Sequence, residues 1–169
     1  LPPTLGIATI VTNVVLDGFV NIADLANPNR LAPSWDALGN GDFNFFADGY
    51  QFQGYDDGAF AYQRITGDFD VSVRLASMEA LRPETSAGLM VRETLDAYSR
   101  TLHVLAHPAG VTQDGRVGGG IFVTLQRSVS GRPDDPWDSG WGGGTVTLPH
   151  AWMRLRRQSQ TFTAYWSDN

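Results

Sequence analysis

The sequence predicts an all-β protein, built as an antiparallel sandwich or barrel of short strands. Apolar and polar residues alternate with a period of two over several segments. Turn signals such as Thr66-Gly67-Asp68 separate these segments at short intervals. Of the 18 acidic residues, fifteen are Asp, which favours turns, and only three are Glu, which favours helices.

The N-terminal part of the chain is the least regular. Leu5–Val15 is a candidate strand, and the apolar, β-branched stretch Leu5–Val20 that contains it is expected to be an outer strand. Asn21–Leu31 has room for one helical turn. Asn27–Asn44 carries Asn-Pro and Gly-Asn-Gly signals that indicate a loop. The aromatic residues in this part, Trp35 and the cluster Phe43–Phe46, are expected to pack in a core.

The strongest alternation lies further along the chain. In Asp68–Ser77 every second residue from Phe69 to Leu75 is apolar, and Ala151–Gln158 alternates in the same way. A turn is expected at Asp56-Asp57-Gly58. Further strands are expected at Gly49–Gln53, Ala59–Ile65, Ala87–Glu93, Arg100–His107, Gly119–Ser128 and Thr161–Ser167. This pattern makes 46–169 the main sandwich, with 1–45 as a strand and loop segment that packs on it or leads into it.

Composition excludes several classes of protein. All 12 basic residues are Arg, the net charge is -6, and the pI is about 4.8, so the chain lacks the cationic footprint of a nucleic-acid-binding protein. It contains 0 Cys, which excludes disulfides, thiolate metal sites and cysteine nucleophiles. No apolar run is long enough for a transmembrane helix, so we expect no membrane insertion.

An ordered set of segments carries a family resemblance: Phe60–Gln63, Thr66–Arg74, Ala87–Glu93, Asp96–Arg100, Leu125–Arg127, Trp152–Leu155 and Thr161–Asp168. The set resembles secreted bacterial domains of the concanavalin A-like lectin/glucanase superfamily. More narrowly, it is similar to the group named "regulation of enolase protein 1-like", with laminin-G-like jelly rolls nearby. The resemblance implies a two-sheet jelly roll with one curved, partly open face, located outside the cell or on its surface. It also implies final strands that this chain lacks, whose pairing Leu5–Val15 or another chain would supply.

Catalytic signals are weak. Glycoside hydrolysis needs two carboxyl groups flanking the bond, and glucanases of this fold place them as Glu-x-Asp-x-x-Glu, a spacing that none of the Glu residues has. Asp68 and Asp70 form an i,i+2 pair at a strand start, which is more typical of turn closure. His103 and His107 share one strand face and are interpreted as solvated or hydrogen-bonded. An enzyme is therefore not favoured.

Carbohydrate binding is better supported, because apolar sugar faces stack on aromatic rings while planar polar groups bond the hydroxyls. Two Trp lie in the long loop Ser128–Gly144, where they either bind ligand or anchor the loop. Several Arg, Gln and aromatic residues lie on the less apolar parity of their strands, Arg156 and Trp152 among them. The alternative is a solvated face on which Arg stems cover rings. The candidate ligand-binding residues are Trp137, Trp141, Arg92, Gln126, Tyr55, Arg154 and Tyr165.

A structural calcium ion is the cofactor that the sequence favours. Asp134, Asp135 and Asp138 cluster in the same Gly-rich loop, and calcium takes carboxylate and carbonyl oxygens from bent loops. The segments 40–44 and 56–57 are further Asp/Asn-rich candidates. The alternative is that these side chains only stabilise turns of the backbone.

Three functional hypotheses follow. The first is a non-catalytic carbohydrate-binding or adhesion module of a secreted or cell-surface protein, with a glycan as partner. The second is a structural subunit of an extracellular fibre or surface assembly, a homo-oligomer in which a strand of one chain completes the sheet of its neighbour. The third is a fragment of a glycoside hydrolase or polysaccharide lyase whose catalytic residues lie outside this chain.

Overall fold

In the computed structural model the described part of the chain contains fourteen strands and no helix. The described residues are 6–12, 21–25, 32–38, 42–48, 51–53, 55–79, 85–107, 112–113, 116–117, 120–126 and 147–169. The strands are, in chain order, β1 (Gly6–Thr12), β2 (Asn21–Leu25), β3 (Ser34–Ala37), β4 (Asp42–Ala47), β5 (Gln51–Gln53), β6 (Tyr55–Tyr62), β7 (Phe69–Met78), β8 (Ala87–Arg92), β9 (Thr101–His107), β10 (Thr112–Gln113), β11 (Arg116–Val117), β12 (Gly120–Gln126), β13 (Ala151–Gln158) and β14 (Thr161–Ser167).

Antiparallel pairing joins these strands into sheets. The large sheet has six strands in the order β14-β13-β7-β1-β4-β3. The small sheet has the order β12-β9-β8, and a third sheet has the order β2-β6-β5. β10 and β11 pair with each other on either side of residues 114–115. The prediction of an antiparallel all-β protein is therefore confirmed.

The main hydrophobic core lies between the large sheet and the small sheet. Its buried residues come from β4, β7, β13 and β9, and each buried aliphatic side chain contributes roughly 1.5–3 kcal/mol to stability. An added Cβ at Gly88 of β8 would lie 2.1 Å from the Val104 carbonyl oxygen of β9 and 2.8 Å from the Met153 sulfur of β13, so glycine permits the close approach of β8 to both strands. The buried core residues are Phe43, Val73, Leu75, Leu102, Val104, Ala106, Ala151, Met153 and Leu155. Two antiparallel sheets that share a core form a β-sandwich.

The strands with the clearest alternation agree with the structure. β13 and β14 have the predicted bounds, and β7, β8, β9 and β12 lie within a residue or two of theirs. In β7, Val73 and Leu75 are buried and Phe69 packs against the core. Phe43 is also buried, with Trp35 edge-on to it at 6.0 Å between ring centroids, as expected for core aromatics.

Several N-terminal expectations are wrong. β1 is not an outer strand, because it pairs with β4 on one side and with β7 on the other. Residues 21–25 form β2, so this part of the segment expected to hold a helical turn is a strand, and residues 26–31 lie outside the described part of the chain. The expected loop 27–44 contains β3 and the start of β4, which pair with each other in a hairpin. β2 also pairs with β6 and β4 with β1, so strand pairing overrides the local preference for turns.

The expected turn at Asp56-Asp57-Gly58 is also wrong, because these residues belong to β6. The first part of β6 pairs with β5 and the second part with β2, so the strand passes straight through this Asp-Asp-Gly sequence. Asp57 is buried there. The turn at Gly67 is confirmed, since its φ of 88° is one that residues with a side chain rarely adopt.

Strand β9 is buried on both faces, so of the two alternatives for its histidines, solvated or hydrogen-bonded, the solvated one is wrong for His103. Successive residues from Thr101 to Val104 are all buried, and His103 has no exposed surface. Burial, together with the charge of Arg92, lowers the pKa of His103 from 6.5 to about 3. Burial alone lowers the pKa of His107 to about 4. Both side chains are therefore neutral in the folded protein at neutral pH.

We expect these histidines to destabilise the protein in mild acid. A lowered folded-state pKa means that the unfolded chain binds more protons between the folded value and 6.5. The free energy of unfolding therefore has its full value above pH 6.5 and decreases as the pH falls towards 4. Each histidine contributes a slope of about 1.4 kcal/mol per pH unit to the free energy of unfolding. Denaturant titrations at a series of pH values measure this slope.

The variant His107→Gln should reduce that slope by about 1.4 kcal/mol per pH unit, the contribution of one proton. His150→Gln is the matched control, because His150 is exposed and lies in the turn before β13. An unchanged slope in His107→Gln, or an equal reduction in His150→Gln, would contradict the assignment.

Candidate functional site

The candidate site lies on the face of the large sheet that points away from the core. In β13, the buried residues Ala151, Met153 and Leu155 alternate with Trp152, Arg154 and Arg156. Because successive side chains of a strand point to opposite faces, the second set lies on the outer face. β7 and β14 flank β13 and contribute the other members of the site.

Strand register brings these side chains into rows. Arg154 lies directly opposite Tyr165 of β14, and Trp152 lies directly opposite Arg74 of β7. Arg156 lies opposite Asp70, which is diagonal to Arg154. Residues that are opposite or diagonal on one face of a sheet are close enough to interact. We call this set the arginine–aromatic face: Asp70, Arg74, Trp152, Arg154, Arg156 and Tyr165.

A two-pronged ion pair lies at the centre of the arginine–aromatic face. Arg154 Nε donates to Asp70 Oδ1 at 2.6 Å, and Arg154 Nη2 donates to Asp70 Oδ2. Arg156 Nε lies 3.8 Å from Oδ2. The hydrogen bonds from Arg154, aided by the charges of both arginines, hold the pKa of Asp70 below its ordinary value. Asp70 is therefore a carboxylate whose side chain has a fixed orientation although it is 43% exposed.

Two aromatic rings accompany the guanidinium groups. The guanidinium carbon of Arg154 lies 5.3 Å from the centroid of the Tyr165 ring, and that of Arg74 lies 5.8 Å from the Trp152 ring. Both distances fall in the range of cation–π attraction. Arg74 Nη1 also donates to the Pro149 carbonyl at 3.4 Å. The rings and the charged groups thus hold one another in place across three neighbouring strands.

Asp68, the other carboxylate of the Asp68/Asp70 pair, has a different role. Asp68 Oδ1 accepts a hydrogen bond from the Ser159 backbone N–H at 2.7 Å, which ties the start of β7 to the turn between β13 and β14. The interpretation of Asp68 as a residue that stabilises a turn is thus supported by its contact. Asp70 instead belongs to the arginine–aromatic face.

The ligand-binding residues predicted from the sequence and described by the structure lie in different sheets. Arg154 and Tyr165 are neighbours in the large sheet. Arg92 and Gln126 belong to the small sheet, where both pair with Thr101. The side chains of Gln126 and of Tyr55, which begins β6, lie outside the described part of the protein.

Arg92 makes the contacts of a residue that holds a loop. Its Nε donates to the Thr94 carbonyl at 2.6 Å, and its Nη2 donates to the Asp96 carbonyl. Its guanidinium carbon lies 5.6 Å from the ring of Phe60, so it also links β8 to the third sheet. Among the described residues, no contact connects Arg92 to the arginine–aromatic face.

The predicted loop residues cannot be placed. Trp137 and Trp141, and the predicted calcium ligands Asp134, Asp135 and Asp138, lie outside the described residues. The alternative segments 42–44 and 56–57 lie in strands β4 and β6 and not in loops. Within the described ranges, no group of three or more His, Cys, Asp or Glu side chains is arranged to hold a metal ion.

Comparison of the chain with protein families, with curated proteins and with solved structures finds no match. In the part of the chain that the structure describes, no helix has the length and apolar character needed to cross a membrane. The function must therefore be inferred from the arrangement of the chain's own residues.

Sequence reasoning did not assign Asp70 or Arg74 to the site. The signal was present, since both residues alternate with the apolar positions of β7 and so share the outer parity. The missing fact was that β7 lies beside β13, a pairing between residues about eighty positions apart in sequence. Local alternation identifies the two faces of each strand but not the neighbouring strand.

The Asp70–Arg154 ion pair leads to a testable prediction about the pKa of the Asp70 carboxyl. We expect the Asp70 carboxyl to titrate below its ordinary range, and to return towards that range in Arg154→Gln. The stabilisation by the pair is present above the unfolded-state pKa and is lost as the pH falls through the lowered value. Side-chain carboxyl NMR over an acid titration measures the shift.

The matched control is Arg100→Gln, because Arg100 is exposed and lies 3.7 Å from Glu93 in a different part of the structure. It should leave the titration of Asp70 unchanged. An ordinary pKa for Asp70 in the unsubstituted protein would refute the ion pair.

Proposed function

We propose that this protein is a non-catalytic carbohydrate-binding or adhesion module, and that the arginine–aromatic face is its binding surface. One observation carries the proposal. An exposed sheet face combines aromatic rings with planar hydrogen-bonding groups, and cross-strand contacts hold all of them in place. That combination is the one that sugar recognition requires.

The chemistry of each group suits a sugar. The apolar face of a pyranose ring stacks on Tyr or Trp, and Tyr165 is 41% exposed beside Arg154. Guanidinium groups donate to hydroxyl oxygens, while a carboxylate accepts from hydroxyl hydrogens. Because the ion pair already restricts the Asp70 and Arg154 side chains, binding costs less conformational entropy than on a face of independent side chains.

The same contacts favour binding over hydrolysis. A glycosidase needs a protonated carboxyl as general acid, which requires a raised pKa. The pKa of Asp70 is lowered, and its oxygens accept hydrogen bonds from Arg154. Asp68 is bonded to the backbone of Ser159. These features argue against Asp70 or Asp68 as a general acid, and so support a binding module over a hydrolase that would use these two carboxyl groups.

The wider setting belongs to the same proposal. We propose that the sandwich is a jelly roll of the concanavalin A-like type, located outside the cell or on its surface. The support is the ordered set of sequence segments that resembles that superfamily. Calcium coordination by Asp134, Asp135 and Asp138 remains part of the proposal, as does a contribution of Trp137 and Trp141 to the glycan site.

Tryptophan fluorescence tests where a glycan binds. We expect a change in emission with at least one member of a broad panel of soluble polysaccharides, and we expect Trp152→Phe to abolish it. Tyr165→Ala should weaken binding about tenfold because the stacking platform is lost. Trp166→Phe is the matched control and should keep the change in emission, because Trp166 lies next to Tyr165 on β14 but on the core side of the sheet.

No change with any glycan would contradict the proposed function. Loss of the change in Trp137→Phe or Trp141→Phe, with the change retained in Trp152→Phe, would assign binding to the loop and refute the arginine–aromatic face as the site.

A second candidate function, a subunit of an extracellular assembly, is favoured by strand β14. This strand is at one end of the large sheet as described, and its core-side residues Phe162 and Trp166 are 41% and 40% exposed. An edge strand with exposed aromatic side chains is a template for pairing with another chain. We propose that a second copy of the chain would pair there.

Sedimentation velocity over a range of protein concentrations tests this second function. Self-association that Trp166→Ser and Phe162→Ser abolish would support it. Tyr165→Ser is the control, because it removes an equally exposed ring from the other face of the same strand. A single monomeric species at every concentration would refute assembly through β14.

A further inference from the structure

The arginine–aromatic face is positively charged although the protein as a whole is acidic. It contains three guanidinium groups and one carboxylate, whereas the chain has a net charge of -6. The nearest other carboxylates of the described part lie at its margins. Asp68 is bonded to Ser159, Asp168 is bonded to Thr147, and Asp42 is two strands away from Arg74, at about 10 Å between Cα atoms.

The hydrogen bonds leave two of the guanidinium groups with spare donors. Arg154 is satisfied by its two-pronged pair with Asp70. Arg156 approaches the same carboxylate only to 3.8 Å, which is beyond hydrogen-bond distance. Arg74 makes a long bond of 3.4 Å to a carbonyl and lies beside a ring, and no carboxylate of the described residues pairs with it. Arg74 and Arg156 can therefore each receive an anionic group.

The spacing of these two arginines favours an extended ligand. Arg74 and Asp70 are four residues apart on β7, and Arg156 lies opposite Asp70, so the two arginines are separated by about 13 Å along the strands. Arg154 and Tyr165 lie between them along the strands, whereas Trp152 is level with Arg74 and Asp70 is level with Arg156. A single sugar or a small anion cannot reach both arginines, but a chain with repeated charges can.

We propose that the arginine–aromatic face binds an acidic polysaccharide, with the uronate carboxylates on Arg74 and Arg156 and the sugar rings against Trp152 and Tyr165. This inference rests on the proposed carbohydrate-binding function and adds its substrate class. A planar carboxylate accepts two parallel hydrogen bonds from a guanidinium, which gives direction as well as charge.

Calorimetric titration of the full chain with an oligogalacturonate and with its methyl ester tests the proposal. The two ligands share one backbone and differ only in the charge of the carboxyl groups. We expect the acid to bind at least about tenfold more tightly than the ester. Raising NaCl from about 0.1 M to about 1 M, which shortens the Debye length from ~10 Å to ~3 Å, should remove most of that preference.

Substituting Arg74 and Arg156 one at a time tests whether these residues bind the carboxylates of the ligand. Arg74→Gln and Arg156→Gln should each weaken binding of the acid about five- to tenfold and weaken binding of the ester by a smaller factor, so that the preference for the acid falls. Arg100→Gln is the control for a general loss of positive charge, since Arg100 lies near Glu93 in another part of the structure. Circular dichroism of each variant establishes that it is folded.

The outcomes separate this inference from the function on which it rests. Equal binding of acid and ester, with weaker binding of both in Tyr165→Ala, would overturn the acidic substrate and leave carbohydrate binding intact. Loss of binding to every glycan would overturn both. Tighter binding to a sulfated glycan or to single-stranded DNA than to oligogalacturonate would overturn the assignment of uronate as the ligand.

Discussion

The register of strand β13 is the constraint on which both the core and the candidate site depend. One set of its side chains, Met153 among them, fills the core, and the alternate set, Arg154 among them, forms the outer face. A shift of one residue would exchange the two sets, burying charges and exposing the core. Pairing with β7 on one side and with β14 on the other opposes such a shift. The burial that stabilises the sandwich therefore also determines which residues face solvent.

The sequence predicts the strands well where a single face is buried, and poorly elsewhere. β7 and β13 show clear alternation because one face packs on the core and the other is polar. β14 alternates in the same way, although its core-side residues Phe162 and Trp166 remain exposed. β9 was found from its β-branched and apolar content, but its burial on both faces hid the environment of His103. β3 pairs with β4 in a local hairpin, but β2 and β4 follow turn-rich sequence and are strands because partners remote in sequence pair with them. No local pattern contains that information.

The candidate site shows the same division. Parity alone identified Arg154, Arg156, Trp152 and Tyr165 as outward-facing, and register confirms that these residues are neighbours. Parity also selected Arg92 and Gln126, which belong to the other sheet. The two groups are indistinguishable by alternation, because each strand reports only its own two faces. Only the order of strands in the sheets separates a shared surface from residues that have the same parity by coincidence.

The exclusive use of Arg for positive charge gives a way to separate packing from function. All 12 basic residues are Arg, and four of them lie beside aromatic rings in the described part of the protein. A planar guanidinium packs against a ring while it keeps its hydrogen-bond donors at the edge, which an ammonium group cannot do. Stacking on a ring is therefore a general packing device in this structure and is not by itself a sign of a site.

The four arginines differ in the groups that accept their hydrogen bonds. Arg92 and Arg157 donate to backbone carbonyls of adjacent turns, so their guanidinium groups hold the fold. Arg154 instead binds a carboxylate on an exposed face, and Arg74 on the same face makes only one long bond, to the Pro149 carbonyl. The face that holds these two arginines combines the fixed orientation of its central ion pair with exposure and excess positive charge. These three properties together, and not the presence of an arginine beside a ring, make the arginine–aromatic face the strongest candidate for ligand binding among the described residues.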